Sequence, residues 1–149
     1  MSVKIFSKKK DGDNFILKPD GNPTNFRIRE FACKDGSDTI LIDVDFVINK
    51  LQKIREFYKT PITITSGYRT PEYNKKIGGA TNSYHCKGMA FDIVVKGKTP
   101  KEVASLSEEF GIQGIITYPN KSFVHIDSRI TKYFSKDGAK TPIKSFYAK

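Results

Sequence analysis

The sequence is poor in residues that would mark several common classes of protein. Its 149 residues include no tryptophan and only two cysteines, two histidines and two methionines. Cys33 and Cys86 cannot build a disulfide framework and are not spaced as a zinc cluster, so we expect two reduced thiols or at most one bridge. No apolar run is long enough to span a bilayer, which argues against membrane insertion. The N-terminus has no apolar stretch followed by a cleavage site, so we expect synthesis in the cytoplasm without a secretory signal.

Acidic residues are scarce relative to basic ones. Lysine and arginine outnumber aspartate and glutamate by 26 to 16, which gives a formal net charge of +10. A basic surface favours polyanions such as nucleic acid, anionic lipid or an acidic cell-wall polymer. The lysines are spread along the whole chain, however, and no aromatic and arginine cluster offers a platform for stacking bases. We therefore expect no specific nucleic-acid partner and interpret the charge as general solubility with a weak attraction to polyanions.

The apolar pattern predicts a single α+β domain preceded by an arm. Residues 1–25 are polar and broken by turn signals, which predicts an irregular basic N-terminal arm before a domain at 26–149. Helical spacing with capping residues predicts helices over 43–58 and 99–110. Strands are predicted at 62–65, 88–95, 114–118 and 123–127, with the last two as a hairpin, and a final strand around Tyr133. Helices interspersed among short strands predict a small, mainly antiparallel sheet with flanking helices.

Two of the predicted strands carry polar residues on a mostly apolar face. Strand alternation puts Asp92 between apolar neighbours and places His125 and Asp127 on one face of their strand. A buried, ionised carboxylate must be paired, hydrogen-bonded or bound to a metal. The two histidines, His85 and His125, both fall where they could meet Asp92, and such a set leaves a fourth tetrahedral position open, as in catalytic zinc sites. The alternative is an ordinary pair of Asp92 with an arginine or lysine and two histidines satisfied elsewhere.

The segment from Ser83 to Asp92, with the pattern S-x-H-x-x-G-x-A-x-D, resembles the signature of the M15 zinc peptidases. This family includes D-Ala-D-Ala carboxypeptidases and phage endolysins that cut peptidoglycan peptides. The upstream segments "SGYRTPEYN" (66–74) and "GGA" (78–80) and the downstream "FVHID" (123–127) fit the same pattern. The resemblance covers roughly Phe26 to Arg129. It implies a D-Ala-D-Ala carboxypeptidase (hedgehog/DD-peptidase)-like fold in which residues 26–149 form the catalytic domain.

The resemblance also implies roles for individual residues. Zn²⁺ would lower the pKa of a bound water towards about 7, and it would be held by His85, Asp92 and His125. Arg69 resembles the family arginine that contacts a substrate carboxylate or the developing oxyanion, although an ordinary ion pair is the alternative. Ser83 would bind substrate or shape its loop. Tyr118 would line the cleft or serve only in packing.

The sequence departs from the family at one position. Many relatives have a glutamate or aspartate three residues before the second zinc-binding histidine, where it acts as general base. Here that position is Ser122, which cannot take up a proton at neutral pH. Asp127, two residues after His125, is the obvious replacement as a catalytic base. Its alternative role is to orient a histidine ligand.

Two functions remain open from the sequence. The first is a zinc metallopeptidase, either a carboxypeptidase or an endopeptidase, that hydrolyses peptidoglycan stem peptides. We expect such an enzyme to be a monomeric, endolysin-type protein that reaches the cell wall after phage-type release. The second is a non-catalytic, zinc-containing cell-wall-binding module of the same fold. The sequence does not indicate which peptide bond is cut.

Overall fold

The strands of the protein form three sheets in a computed structural model that describes residues 3–147. The largest sheet has six strands in the order β10-β9-β7-β8-β6-β5, and only the β7–β9 pair is parallel. The α+β class is therefore confirmed. The strands are β1 (Val3–Ser7), β2 (Phe15–Leu17), β3 (Pro23–Arg27), β4 (Thr39–Asp43), β5 (Ile62–Ser66), β6 (Ala90–Val95), β7 (Gly114–Thr117), β8 (Val124–Asp127), β9 (Tyr133–Ser135) and β10 (Pro142–Ile143).

Both predicted helices are present, and short helical segments accompany them. The first prediction corresponds to two α-helices joined by a π-helical segment (Val47–Leu51), which a side-chain pattern of period 3.6 does not indicate. Asp43 caps its start, because its carboxylate accepts a hydrogen bond from Phe46 N at 3.2 Å. Among residues 3–147, no helix is both long enough and apolar enough to cross a membrane. The α-helices are α1 (Lys8–Asp11), α2 (Val44–Phe46), α3 (Gln52–Tyr58), α4 (Pro71–Lys76) and α5 (Pro100–Glu109), and the 3₁₀ helices are Ile28–Phe31 and Tyr84–Lys87.

The hydrophobic core lies on one face of the six-stranded sheet, where α3 and α5 contribute buried side chains. Phe91 of β6 is central to it, since its ring stacks on Phe46 at 5.4 Å and meets Phe31 edge-on at 5.4 Å. Side chains alternate along a strand, so the residues next to Phe91 in β6 project from the opposite face. That opposite face carries Asp92 and is the one available for a site.

The prediction of an irregular N-terminal arm is wrong for residues 3–25. In this region β1 pairs antiparallel with β4, from Val3 opposite Asp43 to Ser7 opposite Thr39, and β2 pairs with β3. Ile16 is also buried in the core. Pairing with a distant strand outweighs weak local propensity, which is why composition alone misjudged this segment. Residues 1 and 2 of the predicted arm, and residues 148 and 149 of the predicted domain, lie outside the described residues.

The two cysteines are not bonded to each other. Cys33 is buried in the core, Cys86 is partly buried, and both are free thiols. Cys33 Sγ accepts a hydrogen bond from Thr70 N at 3.5 Å. The structure thus has the two reduced thiols that the sequence favoured.

Candidate metal centre

The structure brings His85, Asp92 and His125 together on the face of the sheet opposite the core. Asp92 and His125 are direct cross-strand partners in the antiparallel pairing of β6 with β8, and His85 comes from the 3₁₀ helix Tyr84–Lys87. One potential ligand atom from each residue lies within 4.8 Å of the others, and all three side chains are buried. The juxtaposition expected from the sequence is therefore present. The metal-binding role of the three residues stays a prediction.

Local structure on both sides fixes the position of His85. Ser83 Oγ accepts a hydrogen bond from His85 N at 3.1 Å and so starts the 3₁₀ helix. Gly88 ends the helix with a left-handed φ of 74°, and a Cβ at this position would collide with the backbone carbonyl of Leu41. Ser83 thus has the loop-shaping role that the sequence left open, and its contact with substrate remains untested.

Hydrogen bonding determines which nitrogen His85 presents to the cluster. Its Nδ1 lies 2.8 Å from the carbonyl oxygen of Gly67, which can only accept, so Nδ1 carries the proton. Nε2 of His85 therefore faces the cluster and lies 3.3 Å from Asp92 Oδ1. A backbone carbonyl that orients a ligating imidazole in this way is a common feature of metal sites.

His125 is oriented from the other side, by a carboxylate. Its Nε2 lies 2.7 Å from Asp127 Oδ2, and its Nδ1 lies 3.0 Å from Asp92 Oδ1. Burial lowers the pKa of His125, but the hydrogen bonds to Asp127 and Asp92 outweigh it and raise the pKa to about 9. Burial likewise raises the pKa of Asp92, yet its hydrogen bonds to the two histidines bring that pKa below the usual range. Asp92 is therefore ionised at neutral pH.

These contacts test whether the cluster suits a metal ion. With Nδ1 of His85 and Nε2 of His125 both used as donors, the remaining nitrogen lone pairs point at the same acceptor oxygen of Asp92. Three lone pairs at such short range repel one another unless a proton or a cation lies between them. Two imidazoles and one carboxylate are ligands that Zn²⁺ prefers. These three ligands thus fit a zinc ion. When no metal is bound, a proton on His125 takes the place of the cation between His125 and Asp92.

Asp127 does not fit the predicted role of general base. Its side chain is 0% exposed and lies behind His125. Oδ1 accepts from Arg129 N at 3.1 Å and from Arg129 Nε at 2.7 Å, and Oδ2 accepts from Arg129 Nη2 at 2.7 Å as well as from His125. Burial raises the pKa of Asp127, but the bonds to Arg129 and His125 lower it to about 2. This carboxylate is buried, fully hydrogen-bonded and in contact with His125 Nε2, an arrangement that suits the alternative prediction of an orienting role, which stays a prediction.

Arg69 lies beside the cluster and forms the ion pair that the sequence allowed. Its Nη2 is 3.5 Å from Asp92 Oδ2, while Nε and Nη1 donate to Ser66 Oγ and Asn74 Oδ1, each at 3.1 Å. Its backbone N donates to the carbonyl of His85 at 3.1 Å. This network fixes a guanidinium next to the candidate metal ligands. Contact of Arg69 with substrate stays a prediction.

Tyr118 and Ser122 differ in their relation to the cluster. Tyr118 is half-buried, with its ring 5.0 Å from that of Phe123. Burial and then the negative charge of Asp92 raise the pKa of Tyr118. Ser122 is exposed. Packing of Tyr118 is therefore observed, and its role in substrate binding stays a prediction.

Three supporting residues were missed by the sequence analysis. They are the carbonyl of Gly67, the side chain of Arg129 and the absent side chain of Gly114. A Cβ at position 114 would overlap the carboxylate of Asp127, its partner in the β7–β8 pairing. The sequence offered two signals for them: Gly67 lies within the quoted segment "SGYRTPEYN", and Arg129 follows Asp127 by two residues and is of opposite charge.

Comparisons with known proteins identify a family and several relatives. The family model described as Peptidase M15 matches residues 24–127. Peptidoglycan L,D-endopeptidase MepK of Escherichia coli (strain K12) is 32% identical over 75 residues, which cover 47% of this chain and 41% of that protein. Probable peptidoglycan L,D-endopeptidase MepK of Haemophilus influenzae is 35% identical over 72 residues, which cover 45% of this chain and 39% of that protein. The chain therefore spans about two fifths of the length of these curated relatives.

Proposed function

Because the chain belongs to the peptidase M15 family, we propose that it is a zinc-dependent peptidase that hydrolyses peptide bonds in peptidoglycan stem peptides. The fold is proposed to be of the D-Ala-D-Ala carboxypeptidase (hedgehog/DD-peptidase) type, with the catalytic domain over residues 26–149. The main support is the convergence of two oriented imidazole nitrogens on one buried, ionised carboxylate.

The metal would be held by His85 Nε2, Asp92 Oδ1 and His125 Nδ1. When bound, Zn²⁺ supplies a Lewis acid and lowers the pKa of a water ligand towards about 7. The carbonyl of Gly67 would hold His85 with Nε2 facing the cluster, and Asp127 would hold His125 with Nδ1 facing it. The burial of all three ligands removes competing solvent around the site.

Arg69 is proposed to bind the carbonyl or the terminal carboxylate of the substrate. Its guanidinium is fixed by Ser66 and Asn74 before any substrate arrives, and its Nη2 lies at the edge of the cluster, 3.5 Å from Asp92. A preorganised donor is most effective where charge develops in the transition state. Ser83 and Tyr118 are proposed to complete the substrate-binding surface, since Ser83 Oγ bonds His85 N and the charge of Asp92 acts on Tyr118.

The substrate class is proposed from the relatives and from the charge of the chain. The relatives named above are peptidoglycan L,D-endopeptidases, and the basic chain suits an anionic cell wall. We further propose an endolysin-type setting, in which the protein acts on the wall as a monomer. The L,D-endopeptidase activity of these relatives favours an L,D bond as the one cut, and a D-Ala–D-Ala bond is the alternative to be tested.

Digestion of purified cell walls tests the proposal. The zinc-loaded protein should release peptide fragments, identified by mass spectrometry, and removal of the metal with a chelator should abolish the release. Asp92→Asn should abolish the release of fragments as well. Asp20→Asn changes an exposed turn residue that is distant in sequence from the cluster, and it should leave the release intact. Walls that stay uncleaved by a folded protein with stoichiometric zinc would contradict the peptidase proposal.

A second candidate function is a zinc-containing module that binds cell walls without cutting them. It is favoured because neither Ser122, at the position of the family's general base, nor its nearest replacement Asp127 is available to accept a proton. Asp127 is fully engaged with Arg129 and His125, and Ser122 cannot accept a proton. Co-sedimentation with walls, without any released fragment, would support this module over the peptidase.

A further inference from the structure

Arg129 contacts both segments that carry the candidate zinc-binding histidines, although it is not itself a ligand. We propose that Arg129 is a positioning residue of the metal centre. It holds Asp127 so that Nδ1 of His125 faces the metal position, and it packs against Tyr84, the neighbour of His85. This inference rests on the proposed zinc site. It assigns a role to a residue that the family resemblance left without one.

The first contact of Arg129 fixes the rotation of the Asp127 carboxylate. Its Nε and Nη2 donate to the two oxygens of Asp127 at 2.7 Å each, and its backbone N adds a third bond at 3.1 Å. This bidentate geometry specifies the plane of the carboxylate as well as its distance. The second lone pair of Oδ2 is then directed at His125 Nε2, which lies 2.7 Å away. The orientation of His125 is thus set by a chain of two residues.

Gly114 provides the space that this arrangement occupies. Gly114 and Asp127 are partners in the β7–β8 pairing, and the carboxylate lies where a side chain at position 114 would be. Any Cβ there would displace Asp127 from both Arg129 and His125. The substitution Gly114→Ala consequently perturbs the support of His125 without changing any charge.

The second contact of Arg129 reaches the segment that holds His85. The guanidinium carbon lies 4.7 Å from the ring centroid of Tyr84 and 5.3 Å from that of Tyr133, distances at which a cation is attracted to an aromatic face. Tyr84 is the first residue of the 3₁₀ helix that carries His85, and its carbonyl accepts from Met89 N at 3.0 Å. One guanidinium therefore couples the positions of both histidines.

Zinc affinity of full-length Arg129 variants tests the inference. We expect Arg129→Ala to weaken zinc binding about 10- to 100-fold, in the range seen when a supporting residue of a metal ligand is removed. Arg129→Lys should recover only part of the loss, because an ammonium keeps the charge without the bidentate geometry. The matched control is Arg29→Ala, which breaks an exposed arginine–aspartate pair with Asp13 and should leave zinc affinity unchanged.

A spectroscopic readout separates positioning from mere support of the fold. In the zinc-loaded wild type, ¹H–¹⁵N spectra should show His125 protonated on Nε2 with the proton strongly hydrogen-bonded, and this signal should be lost or shifted in Arg129→Ala. Wild-type zinc affinity and an unchanged Nε2–H signal in a folded Arg129→Ala protein would overturn the inference. If that variant does not fold, Gly114→Ala decides by the same two measurements.

The outcome for the wild type distinguishes this inference from the proposed function. If the wild type binds zinc and cuts wall peptides while the Arg129 and Gly114 variants bind zinc equally well, only the positioning role fails. If the folded wild type binds no zinc, the proposed function fails and the positioning role fails with it.

Discussion

The proton on His125 predicts an unusual dependence of zinc affinity on pH. In the metal-free protein the Nδ1–H of His125 points at Asp92, and the hydrogen bonds to Asp92 and Asp127 raise the pKa of the imidazole to about 9. Zinc must displace this proton in order to bind Nδ1. We therefore expect the affinity to increase with pH well beyond the range in which an ordinary histidine titrates.

The expected size follows from the displaced proton. An unperturbed histidine has a pKa of about 6.5, so its effect on zinc binding would level off above neutral pH. For His125 the level is reached near pH 9, and each pH unit below it costs about a factor of ten in affinity. Between pH 7 and pH 9 the dissociation constant for zinc should thus fall about 50-fold because of this one group, which is still half protonated at pH 9.

Competition against a zinc buffer of known affinity, at several pH values, measures the dissociation constant. Titration calorimetry at pH 7.5 in two buffers with different ionisation enthalpies counts the protons released on binding. Besides any proton lost by a zinc-bound water, we expect about one proton from His125, where a histidine of ordinary pKa would add only about a tenth of one. A dissociation constant that stays constant from pH 7.5 to pH 8.5, with no proton release, would refute the proposed competition at Nδ1.

Three further predictions concern stability and turnover. The raised pKa of His125 stabilises the metal-free fold fully below pH 6.5, so chelator-treated protein should lose up to about 3 kcal/mol in free energy of unfolding by pH 9; urea titrations that show no loss would contradict this. Phe91→Ala should lower the same free energy by about 3–5 kcal/mol, because Phe91 is 1% exposed, whereas Phe57→Ala, at 59% exposure, should cost far less. Arg69→Ala should reduce release of wall peptides about 100- to 1,000-fold with a smaller change in zinc affinity, and equal losses in both would assign Arg69 to the metal site instead.

The elements that the sequence predicted are those in which the local pattern and the tertiary environment agree. The helix over 99–110 has a capping box formed by Thr99 and Glu102 and a buried stripe, and α5 lies within one residue of the prediction. The N-terminal strands lack such agreement. β1 has only intermediate and exposed residues, and its structure depends on pairing with β4, more than thirty residues later. Pairing of this kind leaves no periodic signal in the strand itself.

The sequence predicted which residues form the site, but it only partly predicted how they are arranged in space. Alternation along β6 and β8 indicates which faces carry Asp92 and His125, but it does not give the register between the two strands. A shift of one residue would have opposed Asp92 with Val124 or Ile126 and moved His125 to the core face. The observed register opposes Asp92 and His125 directly. The resemblance to a family supplied this information, because its motif already links the two positions to one metal.

Asp127 shows why alternation cannot assign roles to two residues on the same face. His125 and Asp127 both project from that face of β8, yet one joins the cluster and the other lies behind it. The difference arises on the neighbouring strands and beyond the end of β8. Ile116 opposes His125, whereas Gly114 opposes Asp127 and leaves room for its carboxylate to lie over β7, where Arg129 can reach both oxygens. The position of a carboxylate next to a candidate metal ligand therefore depends on the space that its strand neighbours leave. Here Gly114 leaves room for Asp127 to bond both Arg129 and His125, which is why we propose an orienting role for it and not that of a base.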